Sequence, residues 1–128
     1  MATVRAGGVE VEFLQEGSGP DLVLLHSLLT ELTVFDEVAP RLARSRRVTR
    51  INLPGFGASG ALALETVGAH ADHVADVMNA LGLAASADVF GNGFGAFVAL
   101  ELAIRHWSNA NIRRPNRGQD FATLALVF

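Results

Sequence analysis

The sequence predicts an α/β fold with a mainly parallel sheet flanked by helices. Three observations carry that prediction. Apolar runs of strand length ("DLVLLHS", "RRVTRINL", "ADVF") alternate with segments of helical spacing. "DLVLLHS" is continuously apolar, as a central strand covered on both faces should be. At 88–100, "DVFGNGFGAFVAL" reads as a strand, a glycine-rich turn and an apolar helix.

The elements follow in order. "GGVEVEFLQEG" sets Val9, Val11 and Phe13 against Glu10 and Glu12, the alternation of a half-buried strand, and Gly17-Ser18-Gly19-Pro20 ends it. "TVFDEVAPRLARS" places Val34, Val38 and Leu42 on one helical face, with Pro40 weakening its middle. Asp36 and Glu37 open that helix, where negative charge is favourable. "ETVGAHADHVADVMNALGL" puts Val67, Val74, Met78 and Leu81 on one face, and Gly82 stops it. "FGAFVALELAIRH" is apolar nearly all round, so burial against a sheet is expected. The stretch 107–120 is polar, carries Arg113, Arg114 and Arg117, and reads as a solvated loop; 121–128, "FATLALVF", reads as a strand. There is no internal repeat, and 1–128 reads as a single domain.

Composition narrows the function classes. Half of the 128 residues are hydrophobic and 18% are charged, enough apolar material for a core. Ten basic and thirteen acidic residues give a net charge of −3, so neither nucleic acid nor an anionic membrane is an expected partner. With no cysteine, disulfides and thiolate metal sites are excluded. No apolar run has the length of a signal peptide or a transmembrane span, and a cytoplasmic location is expected.

The turn Gly91-Asn92-Gly93-Phe94-Gly95 fits two chemistries. A nucleophile elbow, G-x-S-x-G, uses small residues where strand and helix approach closely, and the N–H after the nucleophile helps to hold an oxyanion. Gly93 occupies its central position and brings no side chain. A dinucleotide turn, G-x-G-x-x-G/A, would use Gly91, Gly93 and Ala96 to bring pyrophosphate to a helix N-terminus. The acidic residue that should follow about 20 positions later is missing near Asn111, so NAD(P) binding is the weaker alternative. The glycines are also compatible with close strand–helix packing and no ligand.

Taken together, the "LLH" strand end, the "LPGFGASG" loop and the elbow frame resemble the N-terminal half of an α/β-hydrolase-fold protein of the small esterase and lactonase type, over residues 9–106. The resemblance implies the strand order 1-2-4-3-5-6. It places His26 and Ser27 at the family's His-Gly pair, and gives the backbone N–H groups of Leu28 and Phe94 the oxyanion role. Gly93 falls at the nucleophile, with Gly91, Asn92 and Gly95 shaping the turn. It implies a small carbonyl compound, an ester or lactone, as partner, and no cofactor.

Three departures stand out. Ser27 replaces a glycine, Asn52 stands where an Asp often precedes "LPGFG", and Gly93 removes the nucleophile. The family's acid and catalytic histidine come from a second half beyond the sixth strand. The expectation is therefore a truncated core, from an incomplete or frame-shifted coding sequence, which is catalytically incompetent or acts as a small-molecule-binding pseudo-enzyme. Its last strand would be an apolar edge that invites self-association.

The remaining polar residues have ordinary readings. His70 and His73 lie three apart and read as a solvated helix face rather than a metal site. His106 reads as a helix C-terminal residue favoured by the dipole. Ser59 and Ser27 are hydroxyls near the candidate pocket for which the sequence places no base.

Overall fold

The structure, a computed structural model, describes residues 1–83, 86–107 and 124–127. Six strands form one sheet: β1 (Ala2–Ala6), β2 (Val9–Glu16), β3 (Asp21–Leu25), β4 (Arg47–Ile51), β5 (Asp88–Asn92) and β6 (Leu124–Val127). Their order across the sheet is β1-β2-β4-β3-β5-β6, as the resemblance implied. β1 and β2 form an antiparallel hairpin, and β2 pairs antiparallel with β4. The pairs β3–β4, β3–β5 and β5–β6 are parallel. β1 is an addition to the sequence reading. Gly7 and Gly8, at φ 61° and 85°, close its two-residue turn and bring Val4 opposite Val11.

The pleat sorts side chains to two faces. On one face Val23, Leu25, Ile51 and Val89 pack against α2 (Val67–Ala80) and α3 (Phe94–Leu102), through Val74, Val77, Val98 and Leu102. On the other, Leu24 and Val48 pack against Phe35 and Ala39. Thr66 caps α2 by accepting the Ala69 N–H at 3.0 Å, and Gly82 ends the segment at φ 67°.

Two helix readings need correction. The helix expected from Thr33 is a 3₁₀ turn (Leu32–Phe35) and then a single turn, α1 (Ala39–Leu42), with Pro40 inside its first turn. Pro40 has no N–H to extend a helix from upstream, so the chain restarts there. The buried residues are Leu32, Phe35 and Ala39; the expected face of Val34, Val38 and Leu42 is exposed. α3 is likewise buried on one side only, through Gly95, Ala96, Val98, Ala99 and Leu102, while Phe97 and Leu100 stand at the surface. The polar stretch 108–120, and residues 121–123 and 128 of the expected last strand, lie outside the described residues.

Ion pairs collect at the strand starts. Asp21 at the head of β3 pairs with Arg47 at the head of β4, and Asp88 at the head of β5 binds Arg46 at 2.5 Å. The carboxyl ends of β3, β4 and β5 carry histidine, asparagine and glycine instead. In an open parallel sheet, that is the end where ligands bind.

Candidate active site

β5 runs into α3 through Gly93, at φ 57° and ψ −121°. A residue with a side chain is strained at that φ, as an elbow nucleophile is. The neighbouring glycines are required by packing. A Cβ on Gly91 would lie 2.6 Å from Ala96 Cα, and one on Gly95 would lie 2.7 Å from His26 O. Strand and helix therefore meet backbone to backbone. Asn92, half-buried, pairs with Val127 in the β5–β6 ladder.

The loop after β3 forms the facing wall. His26 is wholly buried, and its ring spans two loops. Nδ1 lies 2.7 Å from the Ser27 carbonyl, and Nε2 accepts the Leu53 N–H at 3.0 Å. A carbonyl only accepts, so the proton sits on Nδ1 and the ring is neutral. Burial holds its pKa below the ordinary 6.5, against the smaller upward pull of the Ser27 carbonyl. His26 is thus a tie between loops. The Ser27 carbonyl also accepts Thr30 Oγ1 at 2.8 Å. Ser27 Oγ accepts the Phe94 N–H at 3.3 Å. Leu28 is exposed on the same loop, and Leu29 beside it takes φ 61° with its side chain in solvent.

Behind this loop lies a polar hub that the sequence reading left out. Asn52, fully buried, accepts the Leu32 N–H at 2.7 Å and donates to Glu12 Oε1 at 2.7 Å. Ser59 donates to the Asn52 carbonyl at 2.7 Å and accepts the Glu12 N–H at 2.9 Å. Ser59 is therefore an interior strut rather than a hydroxyl of the pocket. Nearby, buried Arg50 binds Asp36 at 2.5 Å and Glu16 at 3.2 Å, so Asp36 serves an ion pair rather than a helix start. The sequence signal for these residues was weak: single polar side chains in or beside strands, with partners up to 47 positions away.

The histidine readings also change. His73 is buried and donates from Nε2 to the Ala6 carbonyl at 3.2 Å. His70 is partly buried and meets the Phe94 ring edge-on at 5.1 Å, and burial lowers its pKa. They belong to the side of α2 that packs inward, not to a solvated face. His106 sits in a π-helical turn, Ala103–Trp107, where Nε2 binds Asp72 at 2.8 Å rather than capping carbonyls. Among the described residues no three histidine, cysteine or acidic side chains gather as a metal site. No helix among them is long and apolar enough to cross a membrane. A groove of about 600 Å³ lined by Leu22, Leu24, Phe35, Val38, Leu42 and Phe90 lies on the α1 face and includes no elbow residue.

A strand–elbow–helix at the carboxyl edge of a sheet in this order defines a class, the α/β hydrolases. The chain belongs to the α/β-hydrolase fold family, whose sequence model matches residues 20–117. It is 37% identical over 108 residues to 2-hydroxymuconate semialdehyde hydrolase of Pseudomonas sp. (strain CF600), covering 80% of this chain and 38% of that protein. It is 40% identical over 90 residues to pimeloyl-[acyl-carrier protein] methyl ester esterase of Chromobacterium violaceum, covering 70% of this chain and 34% of that protein. Among solved structures, a bacterial membrane phospholipase A described as a virulence factor superposes with a TM-score of 0.84 at 28% identity. That match covers 98% of this chain and 38% of the phospholipase. Est816, an N-acyl homoserine lactone degrading enzyme, gives 0.75 at 28% identity, over 82% of this chain and 40% of its own. The chain thus spans well under half the length of the relatives it matches.

Proposed function

We propose that this chain is the elbow-bearing half of a hydrolase for esters, lactones or related carbonyl compounds, and that it does not turn over substrate by itself. The observation that carries the reading is Gly93. It keeps the backbone of a nucleophile elbow, at φ 57° between packing glycines, without a side chain to attack with. The backbone N–H groups of Leu28 and Phe94 are the assigned oxyanion donors. Donors alone stabilise charge but form no acyl intermediate. The relatives' names, a semialdehyde hydrolase, a methyl ester esterase and a lactone-degrading enzyme, support the carbonyl class.

The test is hydrolysis of p-nitrophenyl butyrate by the purified chain. The expected result is no saturable turnover above buffer. Saturable turnover would overturn the incompetence, and its loss on Ser27→Ala would trace it to the Ser27 hydroxyl.

A further inference from the structure

The two departures at the site, a serine where the family has glycine and a glycine where it has the nucleophile, face each other. A Cβ built on Gly93 would lie 2.9 Å from Ser27 Cβ and nearer still to Ser27 Oγ. The Ser27 hydroxyl therefore fills the space into which a side chain at position 93 would project. Turning Ser27 about χ1 moves Oγ away but leaves Cβ where it is, so the clash outlasts any rotamer change. Ser27 Cα is 3.9 Å from the same point, an ordinary contact. A glycine at position 27 would leave room for a serine at position 93.

We propose that Ser27 and Gly93 are a reciprocal exchange: the site keeps one hydroxyl, carried on the loop after β3 instead of on the elbow, and the two positions cannot both bear side chains. The displaced hydroxyl accepts the Phe94 N–H, so the oxyanion donor assigned above is capped from within the protein. A carbonyl ligand entering here meets the Ser27 hydroxyl before it meets that donor. It follows that Gly93→Ser alone does not rebuild an elbow; Ser27→Gly must accompany it.

The proposal rests on the elbow reading of residues 91–95, and its test reads stability and amide protection rather than hydrolysis. Four chains are compared by urea unfolding: the parent, Gly93→Ser, Ser27→Gly and the double variant. The strain of a serine at positive φ is common to both Gly93→Ser chains and cancels in the cycle. Gly93→Ser is expected to raise the unfolding equilibrium constant at least about tenfold more in the parent than in the Ser27→Gly background, the scale of coupling between touching residues. Ser27→Ala should rescue less than Ser27→Gly, because it keeps the Cβ. Should Gly93→Ser fail to fold with Ser27 present while the double variant folds, the same conclusion holds. Additive effects across the cycle, or equal rescue by Ala and Gly, overturn it. Independently, Ser27→Ala in the parent should speed hydrogen exchange of the Phe94 amide without a matching change at Ala99. Unchanged Phe94 exchange overturns the capping.

Discussion

The Arg105 guanidinium meets the Asp72 carboxylate at two points, 3.0 Å and 2.8 Å, and joins the turn after α3 to the middle of α2. His106 adds a third contact to the same carboxylate. Arg105, first, and His106, second, hold the Asp72 pKa below its ordinary value of 3.8. A carboxylate with a lowered folded pKa stabilises above its unfolded value and loses that contribution as pH falls through the folded one. Asp72→Asn should therefore be less stable than the parent at neutral pH, and the gap should close in acid. Urea midpoints at a few pH values check this; a gap that does not change with pH contradicts it.

His26 acts in the same direction, in a higher pH range. Its folded pKa lies below 6.5, so below that pH the unfolded chain takes a proton that the folded protein refuses. Stability from this group is complete above the ordinary histidine value and declines as pH drops from there toward the folded value. His26→Ala should remove that slope. It should also cost about 2–4 kcal/mol, from the cavity and from the stranded Leu53 N–H. Thermal unfolding of both chains across the histidine range measures slope and cost together.

Asn52 explains one of the sequence's departures. Its amide donates to Glu12 Oε1, which also accepts the Ala58 N–H at 3.0 Å. An Asp there would set two carboxylates against each other in the interior. Asn52→Asp is expected to cost about 2 kcal/mol or more, and Glu12→Gln should recover much of it, because a glutamine amide donates to the new carboxylate. Denaturant unfolding of the single and double variants decides; a loss that Glu12→Gln deepens runs against the expectation.

β6 closes the described sheet on the side away from β1, paired through β5 alone. An apolar strand with an open ladder recruits other chains. The purified chain should scatter light as a species that grows with concentration at micromolar levels. A monodisperse monomer across that range would remove the prediction.

The legible and illegible parts of the fold divide by the range of the interactions that set them. Val9, Val11 and Phe13 showed their strand through alternation, and Gly82 showed where α2 ends, because both signals are local. The parallel order was legible through short apolar strands separated by helical segments. β1 gives little local signal because "ATVRA" is only five residues long and mixes small, polar and charged side chains, although the Gly7-Gly8 pair between it and β2 is a hairpin signal. Val34, Val38 and Leu42 misled because a regular spacing was read through Pro40. The roles of Asn52, Ser59 and His73 depend on partners 40 or more positions away, which no local pattern encodes. At the site, the sequence marked Ser27 and Gly93 as separate departures. Only the approach of β3 to α3 makes them one.

The placement of β4 between β2 and β3 has a consequence for how the chain acquires its shape. β2 and β3 are made before the strand that separates them, and β3 then waits for β5 on its other side. A nascent chain halted before Arg47 holds a β1–β2 hairpin and an apolar strand with neither neighbour in place. Loop closure must bring later segments to both of its flanks before the ladder can form. On the ribosome, resistance to protease should therefore arrive late and in one step, once β5 and α3 have emerged, rather than growing strand by strand.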